Sequence, residues 1–368
     1  MSAVDPLPAR HILTYARTLG GGGVERAQLR LARGWLAMGR RVTLVIGRAE
    51  GPLVADLPPG LTVIEVGTAR YAALLRSLPD VVADQRPDIV FCAGNYYTGM
   101  ALWLRIRSLF RREFVAPPIV AKMSNAPDRG DHGWLAGAFH AMWLALHGIF
   151  LDHLVAMTPR TATAAASVTR MTGRTSVIAN PPALPNPSAI PPPLPGGRFV
   201  LGVGRLVPQK RWDRLIAAFA AIADRDVALV ILGEGTERAT IVEQARRLGL
   251  ADRLHLPGHV ADPMPAMARA AVVALTSDFE GVPGVLREAL AMGTPVVTTQ
   301  SSDSVAEIVT HVALGSVVAR DDHEGLVSAL NSWLSPDAVR PPPVPQPGEE
   351  SAGRYLALFD RLVRTGKP

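Results

Sequence analysis

Cysteine is almost absent from this chain of 368 residues. Its one cysteine, Cys92, excludes an internal disulfide and lies in an apolar run that is typical of a buried strand. The first residues contain neither the basic stretch nor the long apolar stretch of a secretory signal peptide. We therefore expect a cytoplasmic protein.

Lysine is also scarce, because it occurs only at Lys122, Lys210 and Lys367 among 38 basic residues. The net charge of +6 fits an acidic ligand, an anionic membrane surface or simply a composition rich in arginine. We find no zinc-ligand spacing, no basic-helix block and no sheet motif of interleaved basic and aromatic residues. These absences argue against nucleic acid as a partner.

Short apolar runs alternate with helical patterns along the whole chain, which predicts an α/β protein with parallel sheets. Prolines interrupt the alternation twice, and a segment so rich in proline reads as a linker. The predicted parts are a first domain over residues 1–180, a linker over 181–197, a second domain over 198–345 and a final helical segment over 346–368.

The most informative stretch is residues 275–297, which reads as strand, loop, helix and strand. The helix start near Gly284 and Val285 offers free N–H groups to an anion, and Glu280 and Glu288 offer acceptors to hydroxyl groups. A phosphorylated sugar fits this combination. The alternative is that Glu280 is a turn residue and Glu288 a solvated helix residue.

The same stretch closely resembles the donor-site motif of the retaining glycosyltransferases of family four. That motif reads Glu-Gly-x-Pro and then Glu-Ala-x-Ala-x-Gly-x-Pro-Val-Val. The positions that match are Glu280, Gly281, Pro283, Glu288, Ala289, Ala291, Gly293, Pro295, Val296 and Val297.

The resemblance implies the GT-B fold, in which two Rossmann-like parallel-sheet domains face each other across a cleft and the last helix returns to the first domain. It also implies transfer of a sugar, with retention, from a UDP- or GDP-sugar to a hydroxyl of a glycan or glycolipid acceptor in envelope polysaccharide or lipopolysaccharide synthesis. The first domain would bind the acceptor and the second domain the nucleotide sugar.

Three further segments match the same family. Gly22, Gly23 and Glu25 resemble its Gly-Gly-x-Glu loop, whereas the Gly-x-Gly-x-x-Gly fingerprint of a nicotinamide enzyme is not met there. Gly204, Arg205 and Lys210 resemble its diphosphate-binding segment. Arginine and lysine are suited to that role because both donate to phosphate oxygens. Gly233 and Gly235 resemble its Gly-x-Gly turn, and His259 lies where the family borders the base.

The resemblance assigns a role to each site residue. Arg205 and Lys210 would stabilise charge on the leaving diphosphate, and Glu280 would position sugar hydroxyls. Donor-binding residues would be Gly22, Gly23, Gly204, Gly233, Gly235, His259, Gly281, Pro283, Gly284, Val285 and Glu288. Acceptor-binding residues would be Asn95, Asn125 and His132; Asn125 stands near the position of a family histidine, and an amide cannot transfer a proton as histidine does.

No metal or other cofactor is expected. Asp224 and Asp226 spell the carboxylate pair that binds metal in a different glycosyltransferase fold, but they lie between a helical run and a strand, where aspartate commonly serves as a turn residue. In the GT-B fold, cations and a helix dipole take over the work of the metal.

Two segments of the first domain raise the question of a membrane. Residues 133–151 carry no formal charge, and we interpret them as a buried or interfacial helix rather than as a transmembrane span. Residues 103–114 interleave apolar side chains with four arginines, which fits either a helix on an anionic membrane or an ordinary amphipathic helix. Peripheral contact with the inner face of a membrane is the prediction.

Two alternatives come from other functional classes. A non-catalytic partner subunit would keep the fold without turnover, and Asn125 favours it, although the intact Arg205, Lys210, Glu280 and Glu288 argue against it. A nicotinamide-dependent oxidoreductase is the second alternative, which the missing fingerprint disfavours.

Overall fold

The computed structural model describes residues 9–110, 114–125, 134–183 and 192–364. Within them lie thirteen strands, numbered β1 to β13 in chain order: His11–Ala16, Arg41–Ile46, Thr62–Glu65, Ile89–Cys92, Ile119–Lys122, His153–Ala156, Thr175–Val177, Phe199–Val203, Ala228–Leu232, Leu254–Gly258, Val272–Leu275, Val296–Thr299 and Gly315–Val318. The α-helices, α1 to α12, are Gly23–Ala37, Tyr71–Gln85, Thr98–Phe110, Trp134–Phe150, Pro159–Val168, Trp212–Ala220, Arg238–Arg247, Met264–Arg269, Gly284–Ala291, Val305–Ile308, His323–Leu334 and Ser351–Arg364.

The chain divides into two compact units. The second unit contains Pro182–Gln346, and the first contains the described residues before it together with those from Pro347 onward. Every strand pair in both units is parallel. The predicted α/β class with two parallel sheets is therefore confirmed.

The first unit holds a sheet of seven strands in the order β3-β2-β1-β4-β5-β6-β7. Its central strands are buried along their whole length, as expected for a parallel sheet covered on both faces. Cys92, at the end of β4, is fully buried, which confirms its assignment to the core. Burial raises the pKa of its thiol to about 11.

The C-terminal helix α12 packs against α1 in the first unit. Tyr355 and Phe359 of α12 meet Trp35 of α1 at ring-centroid distances of 6.0 and 5.4 Å, and all three rings are fully buried. Aromatic contacts of this kind bury much apolar surface and fix the two helices against each other. The predicted helical end of the chain is thus confirmed as part of the first unit.

The second unit holds a sheet of six strands in the order β10-β9-β8-β11-β12-β13. The order in which the strands are added changes side between β8 and β11. Strands β9 and β10 lie on one side of β8, and β11 to β13 lie on the other. In open parallel sheets such a switch point leaves a crevice at the carboxyl ends of the strands, and ligands bind there. The loops after β8 and β11 are therefore the place to look for a site.

Candidate functional site

Three loops at the carboxyl edge of the second sheet are joined by backbone hydrogen bonds. The Gly204 N–H donates to the Leu232 carbonyl at 2.9 Å, and the Leu206 N–H donates to the Glu234 carbonyl at 2.8 Å. The Gly233 N–H donates to the Gly258 carbonyl at 2.8 Å. The ladder of β8, β9 and β10 therefore continues into the loops and fixes their positions.

Glycine at two of these loop positions is required by the close approach of neighbouring backbone. A Cβ atom at Gly233 would collide with the Gly204 carbonyl, and one at Gly235 would collide with the Leu206 carbonyl. The predicted Gly-x-Gly turn thus has a packing role that the structure makes explicit. Any contact of this turn with a ligand stays a prediction.

Lys210 and Glu280 form an ion pair where the loops after β8 and β11 meet. Lys210 Nζ donates to Glu280 Oε1 at 2.7 Å, and the Ser277 hydroxyl donates to the same oxygen at 2.6 Å. The stem of Lys210 passes over Gly204, where a Cβ would come 3.1 Å from Lys210 Cε. One carboxylate oxygen of Glu280 is therefore held by two donors.

The two loops are held together by further polar contacts. The Asp278 N–H donates to the Gln209 carbonyl at 3.0 Å, and Gln209 Nε2 donates back to the Phe279 carbonyl at 2.8 Å. Arg214 of α6 donates to the Thr276 carbonyl at 2.7 Å and pairs with the Asp278 carboxylate at 3.0 Å. These contacts restrict movement of the segments that carry Lys210 and Glu280.

Arg211 contributes to the same junction from a left-handed backbone conformation, with φ of 50°. Its guanidinium reaches the Asp213 carboxylate at 2.9 Å and the Asp278 carboxylate at 3.1 Å. The hydrogen bond to Asp213 is the main reason why the pKa of Arg211 is raised. A non-glycine residue in this conformation is uncommon, and here the two ion pairs fix the direction of its side chain.

The other predicted donor residues lie in the segments that follow β8, β10 and β11, and they differ in exposure. Arg205 is exposed, and its guanidinium has no hydrogen-bond or ion-pair partner among the residues that the structure describes. Helix α9 begins after Pro283 without a side-chain cap, and Gly284 in its first turn is exposed. Glu288 is half-buried, and His259 lies exposed beyond β10.

The carboxyl edge of the second sheet carries cations, a carboxylate and an uncapped helix start on neighbouring loops. Uncapped N–H groups and the helix dipole attract anions, and arginine and lysine donate to phosphate oxygens. A fixed carboxylate accepts from hydroxyl groups. These residues can together bind a phosphorylated, hydroxyl-rich ligand.

In the first unit, the glycine-rich loop leads directly into α1, with Gly22 at the helix start. Glu25, in the first turn of α1, bends back so that a Cβ at Gly22 would meet its carboxylate. Nothing lies within 4 Å of a Cβ built at Gly23, so this glycine is not required by packing. The predicted contact of Gly22 and Gly23 with a donor stays a prediction.

Lys122 is buried at the end of β5 and donates to Asn180 Oδ1 at 3.1 Å. Burial lowers the pKa of Lys122 to about 8, and the charge of Glu25 opposes that shift. A lysine that remains neutral more readily than usual therefore lies in the core of this unit.

The predicted acceptor residues meet different fates. Asn95 Oδ1 accepts from the Ser124 N–H at 2.7 Å, and its Nδ2 group donates to the sulfur of Met123 at 2.7 Å. Asn95 therefore uses its amide to hold the loop after β5, which carries the half-buried Asn125. His132 lies outside the described residues.

The Asp-x-Asp sequence is a turn. Asp224 Oδ1 accepts from the Asp226 N–H at 2.9 Å, and the other oxygen pairs with Arg198. This is the turn role that the sequence predicts for Asp224. Across the part of the chain that the structure covers, no group of three or more histidine, cysteine or carboxylate side chains is arranged to hold a metal.

The arginine-rich helix α3 does not present all of its arginines to solvent. Arg105 donates to the Phe150 carbonyl at 3.2 Å and to the Ala116 carbonyl at 3.3 Å, and it also pairs with Asp152. It therefore joins α3 to its neighbours inside the first unit. Arg111 and Arg112 lie outside the described residues, and Arg107 stacks over Trp103 at 5.8 Å.

Sequence reasoning missed Ser277, Arg211 and Arg214. Ser277 lies three residues before Glu280 and is fully buried, but a serine in a turn gives no sign of its partner. Arg211 and Arg214 follow Lys210 closely, yet only the fold brings them to Asp278. A search for polar residues flanking the two motifs could have named them as candidates.

Two family models match the chain. The one described as "Glycosyl transferase 4-like domain" matches residues 22–181, and the one described as "Glycosyl transferases group 1" matches residues 190–341. The boundary between the two matches falls at the proline-rich segment between the units.

Curated relatives match over shorter stretches. The N-acetylgalactosamine-N,N'-diacetylbacillosaminyl-diphospho-undecaprenol 4-alpha-N-acetylgalactosaminyltransferase of Campylobacter jejuni is 33% identical over 143 residues, which are 39% of this chain and 39% of that protein. The lipopolysaccharide core biosynthesis glycosyltransferase LpsE of Rhizobium meliloti is 31% identical over 141 residues, 38% of this chain and 41% of that protein. The chain thus spans about two fifths of the length of these relatives.

Solved structures match over nearly the whole chain. Anabaena HepE, in complex with UDP and glucose, gives a TM-score of 0.71 at 19% identity, covering 97% of this chain and 98% of HepE. WaaG, a glycosyltransferase involved in lipopolysaccharide biosynthesis, gives a TM-score of 0.68 at 18% identity, covering 96% of this chain and 98% of WaaG. The GT-B fold expected from the sequence is confirmed.

Proposed function

Because the chain belongs to the group 1 glycosyltransferases of family four, we propose that it transfers a sugar from a nucleotide diphosphate sugar to a hydroxyl group, with retention at the anomeric carbon. The observation that carries this proposal is the Lys210–Glu280 ion pair at the carboxyl edge of the second sheet. It lies at the switch point, where parallel sheets bind their ligands.

The two residues of the pair contact different parts of the nucleotide sugar, and Lys210 contacts the diphosphate. Lys210 has three N–H donors, so it can hold Glu280 and still donate to a diphosphate oxygen. Arg205, exposed on the same loop, supplies a second cation. Negative charge grows on the leaving diphosphate in the transition state, and donors fixed before the reaction lower its free energy.

Glu280 meets the sugar with its second oxygen. Because Lys210 and Ser277 both donate to Oε1, the other oxygen Oε2 is oriented by them and accepts from a sugar hydroxyl. The helix start at Gly284 and Val285 binds a phosphate oxygen, and Glu288 binds the ribose. These contacts make a divalent metal unnecessary in the proposal.

The acceptor is proposed from the relatives. The Campylobacter jejuni relative is named for a diphospho-undecaprenol-linked substrate, and LpsE is named for lipopolysaccharide core biosynthesis. We therefore place the acceptor among glycans or glycolipids of the cell envelope. Asn125, on the loop that Asn95 holds, is the residue that we assign to an acceptor hydroxyl.

The test begins with thermal unfolding in the presence of UDP, GDP or a nicotinamide dinucleotide. A ligand that binds only the native state raises the unfolding temperature, so UDP or GDP should do so and the dinucleotide should not. Turnover is then measured with the matching nucleotide sugars and envelope glycan acceptors. Binding without any turnover would favour a non-catalytic partner subunit, and a shift with the dinucleotide alone would favour an oxidoreductase.

A further inference from the structure

Helix α4, Trp134–Phe150, is held in the first unit mainly by its C-terminal half. Leu144, His147 and Phe150 are buried, and Arg105 and Arg174 donate to the carbonyls of Phe150 and Leu151 at its end. None of residues 135–142 is buried. The first two turns of the helix therefore lie at the surface, where only the side of Gly137 and His140 is partly covered.

The rest of the surface of these turns is apolar. Their exposed side chains are Leu135, Ala136, Ala138, Phe139, Ala141 and Met142. Phe139 exposes 68% of its surface, and the apolar face continues to Ile149 at 79%. Exposed apolar surface of this extent is unfavourable in water and marks a contact site.

The distribution of the exposed residues around α4 distinguishes a second copy of the chain from a lipid bilayer. At 3.6 residues per turn, the six exposed residues cover about 220° of the circumference. A second copy of the chain lying alongside would cover one narrower stripe. An apolar phase that surrounds the helix on most sides fits the distribution better.

Charge points to the same occupant. Helix α4 has no charged side chain, and α3, which packs beside it, has no carboxylate and carries Arg107 besides Arg105, which is engaged inside the unit. Interfacial helices bury apolar side chains among acyl chains while nearby cations meet anionic head groups. Among the residues that the structure describes, no helix is both long and apolar enough to cross a membrane.

We propose that the N-terminal half of α4, residues 135–142, inserts into the surface of an anionic lipid bilayer. Helix α4 follows β5 and leads back to β6, so its N-terminal end lies on the side of the carboxyl ends of the first sheet. The glycine loop before α1 and the loop of Asn125 lie on that side as well. The purpose of the contact, access to a lipid-linked acceptor, rests on the proposed function.

This assignment differs from the one that the sequence suggests. The arginine pattern of residues 103–114 predicts α3 as the membrane face, but Arg105 is engaged inside the unit. The structure shifts the contact to α4, where apolar side chains rather than arginines provide most of the attraction.

The first test uses the single native cysteine. Cys92 is buried, so it does not compete when Phe139→Cys is labelled with an environment-sensitive fluorophore. The label should shift to the blue with phosphatidylglycerol vesicles. The matched control, Val312→Cys, replaces another exposed residue, at 81%, in the second unit, and its label should not shift.

The second test is cosedimentation of the full chain with the same vesicles. Leu135→Gln with Phe139→Gln should lower the bound fraction by roughly tenfold or more, because two large apolar side chains no longer leave water. Val312→Gln should bind as the unchanged protein does. Since all three positions are exposed, folding should be unaffected.

Three results would overturn the proposal. In the first, the unchanged protein does not bind the vesicles. In the second, the labels at positions 139 and 312 shift equally. In the third, the Phe139→Cys label shifts without vesicles as a dimer forms, which would assign the exposed surface of α4 to a second copy of the chain. Stabilisation by UDP or GDP is measured on every variant. Because that readout does not depend on lipid, failure of the unchanged protein to bind vesicles, together with its stabilisation by UDP or GDP, would reject the membrane contact and leave the proposed donor site standing.

Discussion

Lys210 Nζ lies 2.7 Å from Glu280 Oε1, and the two side chains are only 14% and 12% exposed. The pair therefore lies partly out of water, where removal of one charge leaves the other with an uncompensated desolvation cost. In the proposed site, Lys210 therefore contributes both to the shape of the site and to its charge. Arg205, which is exposed and unpaired among the described residues, carries charge without that structural duty.

The contrast between these two cations gives the first prediction. Arg205→Ala should lower kcat/KM by roughly tenfold to a thousandfold, because it removes a donor aimed at the leaving group. Its unfolding temperature should stay unchanged, whereas Lys210→Ala should lose both activity and stability. Arg225→Ala, at an exposed turn away from the site, is the matched control. Full activity of Arg205→Ala would remove this residue from the mechanism.

Ser277 provides the second prediction, as a positioning residue. Its hydroxyl donates to Glu280 at 2.6 Å, so Ser277→Ala frees the carboxylate to rotate. We expect kcat to fall by roughly tenfold or more while the dissociation constant of UDP or GDP stays within about twofold, because the nucleotide does not touch Glu280 in the proposal. A parallel loss of nucleotide affinity would instead show a general disruption of the loop.

Much of the fold was predictable, and the reason is physical. Parallel strands buried on both faces read as short apolar runs, so the predicted runs at His11–Ala16 and Arg41–Ile46 match the observed strands. Lys210 and Glu280 were recognisable because each of them lies in a sequence motif of the family. Their direct pairing was not, because the two residues are 70 positions apart and meet only when β8 and β11 become neighbours.

The exposed half of α4 was not predictable for a different reason. An uncharged helical run reads equally as a core helix or as a surface helix that awaits a partner. Leu144 and Phe139 are both apolar, yet one is buried and the other is 68% exposed. Only the position of α4 relative to α3 and α5 decides between them.

The third prediction concerns Lys122, whose pKa is lowered to about 8 by burial. Between about pH 8 and pH 10.5 the unfolded chain binds a proton at this lysine that the native protein does not bind, so the free energy of unfolding should rise with pH there. Lys122→Met should lack this contribution. At pH 7 the variant should be more stable by about 1–3 kcal/mol, since no charge is then buried.

Denaturant unfolding of both proteins at pH 7, 8, 9 and 10 measures this. The difference between the two curves isolates Lys122, because all other titrating groups are shared. The difference in the free energy of unfolding between Lys122→Met and the unchanged protein should become smaller as the pH rises. A constant difference across this range would mean that Lys122 keeps an ordinary pKa in the native protein.

The fourth prediction is that turnover does not require a divalent metal. In the proposed site, Arg205, Lys210 and the helix start at Gly284 would supply the positive charge that a metal would otherwise bring to the diphosphate. Single-turnover rates should be the same with a chelator and with added magnesium, and single-turnover conditions exclude effects on product release. Loss of the chemical step on chelation, with recovery on adding metal, would require a metal-dependent mechanism.

The central claim is that Lys210 and Arg205 bind the diphosphate of a nucleotide sugar. Calorimetric titration tests it by comparing UDP with uridine, and GDP with guanosine, in the unchanged protein, Arg205→Ala and Lys210→Ala. In the unchanged protein the diphosphate should tighten binding of one nucleoside by at least about tenfold, and this gain should shrink in each variant while the nucleoside itself binds as before. If the gain from the diphosphate is the same in all three proteins, the two cations do not bind it and the account of the site is wrong.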